Sequence, residues 1–153
     1  RLTPLTRLQE LNLDIKSATD PLDVSELTTL TQLNARNSPV SGLPTSLVEC
    51  TVSVCSDFDF SSLTNLTYLV VSLVPDIRVT FPTGLKRLGM YRGELANTNI
   101  SDVALERFWS GCDCPITQDV LEKLPKTLTE VDGNFEPESL KEHLSEMFPC
   151  LTP

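Results

Sequence analysis

Self-similarity at a short, nearly fixed spacing constrains this chain more than any other feature, because stacked units of one kind exclude most globular topologies. One block reads Leu5-Thr-Arg-Leu8-Gln-Glu-Leu11 and returns as Leu27-Thr-Thr-Leu30-Thr-Gln-Leu33 and Leu63-Thr-Asn-Leu66-Thr-Tyr-Leu69. A second carries proline after its first apolar residue: Leu43-Pro-Thr-Ser-Leu47-Val-Glu-Cys50, Phe81-Pro-Thr-Gly-Leu85-Lys-Arg-Leu88 and Leu124-Pro-Lys-Thr-Leu128-Thr-Glu-Val131. The last apolar slot falls at 11, 33, 50, 69, 88 and 131, giving spacings of 22, 17, 19, 19 and 43, so the final gap holds two units. Each slot opens an alternating stretch (Leu11-Asn-Leu13, Leu33-Asn-Ala35, Cys50-Thr-Val52, Leu69-Val-Val71, Leu88-Gly-Met90) that predicts a strand with every second residue buried.

These blocks resemble the leucine-rich-repeat family, whose unit runs Leu-x-x-Leu-x-Leu-x-x-Asn/Cys. The resemblance covers most of the chain. It implies an α/β repeat: a right-handed solenoid of about seven units, with a concave parallel sheet and a C-terminal capping helix. The family's Asn/Cys slot is kept at Cys55 and replaced at Lys16 and Ser38, and the spacings are short. Short, irregular or 3₁₀ segments are therefore expected on the convex side. Past Arg92, Asn99-Ile-Ser-Asp-Val-Ala-Leu105 and Cys114-Pro-Ile116-Thr-Gln-Asp-Val-Leu121 resemble the cysteine-containing subclass familiar in F-box-type adaptors. Thr117 is expected to cap a helix with Val120, Leu121 and Leu124 on its apolar side. The 16 residues from Ile100 to Ile116 are too few for a strand and a helix, which leaves Leu105 to Cys114 unassigned. Pro137 to Phe148 predicts a helix with Leu140, Leu144, Met147 and Phe148 along one side. We read residues 136–149 as the cap of a single domain spanning 1–153. The first repeat, with Leu5, Leu8, Leu11 and Leu13, has no such cap and is expected to end open or to lie against preceding sequence.

The chain has 153 residues, 40% hydrophobic and 22% charged, which suits one folded domain. A formal charge of −9 repels phosphate backbones, so nucleic acid is not expected as a partner. No run reaches the roughly 18 apolar residues of a membrane span, and no membrane insertion is expected. An odd count of five cysteines favours reduced, mostly buried thiols and, weakly, a cytoplasmic setting. The sequons Asn65-Leu66-Thr67 and Asn99-Ile100-Ser101 point the other way, to a secreted or cell-surface protein.

Catalytic constellations are missing parts. The single histidine, His143, stands beside Glu142 and Glu146 on the expected cap, and no nucleophile elbow, phosphate loop or zinc motif occurs. Cys112-Asp113-Cys114 offers two thiolates where a structural zinc needs four ligands. Arg78-Val79-Thr80-Phe81 matches a short docking motif for type-1 protein phosphatase, but Phe81 occupies a core slot. We therefore expect no enzyme, cofactor or metal. The expectation is a non-catalytic protein-interaction module, a scaffold, adaptor or regulatory subunit, that binds on the concave face. Alternatives are a glycosylated recognition protein and, further off, a phosphatase-regulatory or ubiquitin-ligase adaptor role. The candidate partner-binding residues flank the buried slots: Asn34, Arg36, Thr51, Tyr68, Val70, Arg87, Gly89 and Tyr91. Gly89 beside Val70 is expected to leave a shallow depression. Acidic end residues Glu10, Asp14, Glu130 and Asp132 favour a partner with basic flanks.

Overall fold

The computed structural model describes residues 5, 7–14, 20–36 and 38–152; the slot at Lys16 lies outside them. Among the described residues eleven short strands alternate with turns. Seven form one parallel sheet in the order β1 (Glu10–Asn12), β3 (Gln32–Ala35), β5 (Glu49–Val54), β7 (Tyr68–Leu73), β9 (Arg87–Arg92), β10 (Arg107–Ser110) and β11 (Glu130–Asp132). The others pair on the return side of the coil, β2 (Leu22–Asp23) with β4 (Val40–Ser41) and β6 (Phe58–Asp59) with β8 (Val79–Thr80). The chain is thus a parallel β-solenoid of about six turns with few helices.

The register slots become one continuous row. Leu11 pairs with Leu33, then Cys50, Leu69, Leu88, Phe108 and Val131 follow across successive strands. Leu33, Cys50, Leu69, Leu88 and Phe108 are buried, as are Leu30, Leu47, Leu66, Leu85 and Leu128 from the same blocks. Burying each such side chain contributes roughly 1.5 to 3 kcal/mol. Phe108 divides the 43-residue gap into 20 and 23, so the unassigned stretch Leu105 to Cys114 contains the strand β10.

Threonines and prolines in the blocks have distinct tasks. Thr29 and Thr31 donate from their hydroxyls to the carbonyls of Leu8 and Gln9 on the preceding coil, at 2.9 and 3.1 Å. Thr127 and Thr129 do the same to Leu105 and Glu106. The carbonyls of Pro44, Pro82 and Pro125 accept from the amides of Leu47, Leu85 and Leu128, closing the turn that leads into each strand. At the other blocks, Asp23 accepts from the Ser25 amide at 3.0 Å and Asp59 from the Ser61 amide at 2.8 Å. These backbone bonds hold both carboxyls below the ordinary value.

Several expectations need correction. Leu8 and Leu11 are half-buried instead of inaccessible, because β1 is the edge strand and no described strand lies beyond it. The return side carries short parallel strands where irregular segments were expected. Units of 17 to 19 residues leave no length for a helix there, and Val40, Phe58 and Val79 favour extended backbone. Isolated parallel bridges continue that side at Val79–Thr98 and Ile116–Phe135. Cys55 is exposed, not packed: β5 runs on through Val54, whose side chain takes the inward position and leaves Cys55 past the strand end. Cys112 and Cys150 are exposed too, so only Cys50 and Cys114 are buried.

The helix expected after Ile116 forms as α1 (Gln118–Lys123), with the Thr117 hydroxyl accepting from the Val120 amide at 3.4 Å. Leu121 and Leu124 are buried and Val120 is half-buried. Pro137 to Phe148 is not one helix. It is a 3₁₀ segment over Glu138–His143 followed by a single turn, α2 (Leu144–Met147). Glu138–His143 contains one apolar residue, the half-buried Leu140, so little packing holds it in a longer α-helix. Leu144 and Phe148 are buried, and the Thr152 amide and hydroxyl both bond the Thr129 carbonyl, extending the ladder past β11.

Candidate partner-binding face

Because alternate residues of a strand point to opposite sides, the buried row fixes what the outer surface of the main sheet displays. Three outward rows follow. The first runs Glu10, Gln32, Glu49, Tyr68, Arg87, Arg107, Glu130. The second runs Asn12, Asn34, Thr51, Val70, Gly89, Trp109, Asp132 along the same pairings. The third contains Arg36, Ser53, Ser72 and Tyr91, with a register shift after Val71 that sets Ser72 opposite Arg92. All eight sequence-derived site residues lie in these rows. Six of them are exposed or half-exposed, while Val70 and Gly89 are buried.

The expected depression at Gly89 does not exist. The Trp109 indole from the neighbouring strand covers it, and a Cβ added at Gly89 would overlap ring atoms Cε2 and Cζ2. Glycine is required there for that close approach. Trp109 meets Tyr91 edge to face, with ring centroids 5.1 Å apart. The Arg36 guanidinium stacks 3.5 Å from the Tyr91 centroid, and that of Arg87 4.7 Å from the Tyr68 centroid. The face is therefore organised by aromatic side chains held by each other and by arginine, contacts worth roughly 0.5 to 1 kcal/mol each when exposed.

Exposed ion pairs link the strands sideways. Arg107 bonds Glu130 at 3.1 Å, and Arg87 reaches Glu49 at 3.9 Å. Arg92 directs both Nε and Nη2 to Oδ2 of Asp113, each at 3.1 Å. Pairs this exposed add little stability, but they fix where the long side chains point.

Trp109 and Arg107 were missed in the sequence reading, although a signal existed. Leu105-Glu-Arg-Phe108-Trp-Ser110 copies the pattern of Leu85-Lys-Arg-Leu88-Gly-Met90. That alignment places Trp109 outward beside Gly89.

Elsewhere the chemistry is sparse. His143 lies 3.7 Å from Glu146 on the exposed C-terminal segment. Val79 and Phe81 of the Arg78–Phe81 motif are buried, so its apolar anchors are unavailable to a docking partner. Asn99 accepts from the Phe81 amide at 2.7 Å and donates its own amide to the Phe81 carbonyl at 3.1 Å, which commits the nitrogen a glycan would need. Asn65 is exposed. Burial pushes the Cys50 thiol up to about 12 and raises that of Cys114, with Glu94 adding to the latter. Among the described residues no helix is long and apolar enough to cross a membrane, and no group of three or more His, Cys, Asp or Glu is arranged to hold a metal.

Comparison of the chain with protein-family models, curated proteins and solved structures found no match.

Proposed function

We propose that this solenoid is a non-catalytic protein-interaction module of leucine-rich-repeat type, and that its partner docks on the outer, concave surface of the main sheet. The observation that carries this reading is the concentration of Tyr68, Tyr91, Trp109, Arg36, Arg87 and Arg107 on one regular face whose remaining positions are small, polar or acidic. Tyr, Trp and Arg dominate measured interface energies, and rings already held in place lose little entropy on binding. Repeat architecture favours the same use, since outward residues can vary without disturbing the buried row.

The leucine-rich-repeat assignment rests on the Leu-x-x-Leu blocks, on strands that begin at their last slot, and on Asn99. Its side chain bonds both backbone groups of Phe81, the service an asparagine ladder gives such coils. We further assign residues 136–149 the role of closing the last coil, on the strength of buried Leu144 and Phe148. A scaffold, adaptor or regulatory subunit fits equally. A secreted glycoprotein has less support, since Asn99 is engaged and Asn65 alone remains as an open acceptor.

Affinity capture from the native source with quantitative mass spectrometry tests the reading. Tyr68→Ala, Tyr91→Ala and Trp109→Ala should each weaken recovery of the partner, by about 1 to 2 kcal/mol in a follow-up titration, with the melting temperature little changed. Equal recovery by wild type and all three variants would remove the outer face from consideration.

A further inference from the structure

At one end of the outer face, Arg36, Ser53, Ser72, Tyr91, Arg92 and Asp113 enclose an open cavity of about 530 Å³, with Gly111 and Cys112 completing its wall. We infer that this cavity receives an anionic side-chain group of the partner, a phosphomonoester or a carboxylate. This rests on the outer face being the docking surface and names the chemistry of its anchor.

Three observations lead there. First, the Arg36 guanidinium is immobilised by stacking on Tyr91 at 3.5 Å, and no carboxylate among the described residues pairs with it. Stacking occupies the flat face of a guanidinium and leaves its in-plane N–H donors for an acceptor. Its backbone is held as well, because the Ser53 hydroxyl donates to the Arg36 carbonyl. Secondly, Asp113 is the one carboxylate in the wall, and it is already neutralised by Nε and Nη2 of Arg92. Arg36 therefore sets the local charge, positive in a chain whose net charge is −9. Thirdly, the half-buried Ser72 hydroxyl lines the same cavity and forms no hydrogen bond with a described residue, leaving a further donor beside the guanidinium. An oriented cation and a free hydroxyl, with the nearby acid cancelled, suit an oxyanion better than an apolar or cationic group. The acidic residues at both ends of the face then meet basic positions on either side of that anchor.

The test needs no partner. Isotope-labelled protein is titrated at constant ionic strength with inorganic phosphate, with N-acetyl-phosphoserine N-methylamide and with N-acetyl-glutamate N-methylamide, following backbone amides and the Arg36 Nε signal. Saturable shifts confined to Ser53, Ser72, Tyr91, Gly111 and Arg36 are expected, with a Kd of about millimolar order. Arg36→Gln and Ser72→Ala should each weaken binding, the former at least about tenfold, while Lys126→Gln, equal in charge change but distant, leaves it intact. Both replaced side chains are solvent-accessible, so unchanged melting curves should accompany the loss. Tighter binding of the phosphoserine compound assigns a phosphorylated anchor, and equal or tighter binding of the glutamate compound assigns a carboxylate. Shifts spread over many basic residues, shifts that survive Arg36→Gln, or no shifts with any probe would overturn the inference. The outer-face reading would be untouched by that failure, since it stands on the capture experiment.

Discussion

At the level of single residues, the block pattern decides which side chains are inside, and the buried row follows it through seven strands. Leu69 lies at the centre of that row with neighbours on both sides, so Leu69→Ala should cost about 2 to 5 kcal/mol. A loss below about 0.5 kcal/mol in a reversible melt would mean that the register is wrong, since even a modest large-to-small core change exceeds it. Cys50 occupies a leucine slot, and its buried thiol keeps its proton to about 12 where the unfolded chain releases it near 9.0. A pKa raised by folding contributes stability below the unfolded value, and that contribution is lost as pH rises towards the folded one. Urea-unfolding free energy should therefore fall more steeply between those two values in the parent than in Cys50→Val. Parallel profiles would show that position 50 is open to solvent. Residues such as Gly89 were harder to interpret. Its lack of a side chain suggested a hollow, whereas the structure fills the space with Trp109 from the next strand, a contact between residues twenty positions apart.

Elements were legible where apolar spacing repeats and obscure where it lapses. The strands after Leu11, Leu33, Cys50, Leu69 and Leu88 follow directly from alternation, and Thr117 announces α1 by its capping hydroxyl. Strand β10 was hidden because the preceding return segment is compressed to a 3₁₀ turn, Ile100–Asp102, leaving no helical pattern to frame it. The return-side strands were hidden for another reason: two-residue ladders such as Leu22–Asp23 with Val40–Ser41 are too short for periodicity to register. At the C-terminus the apolar spacing of Leu140, Leu144, Met147 and Phe148 indicated a helix, but only its last turn is α-helical. That segment nonetheless buries Leu144 and Phe148, so a chain ending after Asn134 should expose apolar surface and aggregate. Light scattering and a thermal melt check this. A truncated protein that remains monomeric and melts like the full chain would remove the capping role.

For the whole molecule, parallel in-register stacking turns a one-dimensional repeat into a surface with rows of defined composition, and the outer face gathers the aromatic and arginine side chains that bind best. Five of the eight site residues read from sequence, Asn34, Arg36, Tyr68, Arg87 and Tyr91, remain accessible there together with Thr51, while Val70 and Gly89 now support Trp109 from beneath. The central claim is that this face, not the return side, meets the partner. Site-specific photo-crosslinking tests it most directly. A benzophenone amino acid is introduced singly at Asn34, Thr51 and Arg107 on the outer face and at Thr64, Arg78 and Ser101 on the return side, and each protein is irradiated in extract from the native source. The account predicts a common crosslinked protein from the outer positions and none from the return side. The same adduct formed only from Thr64, Arg78 or Ser101 would contradict it.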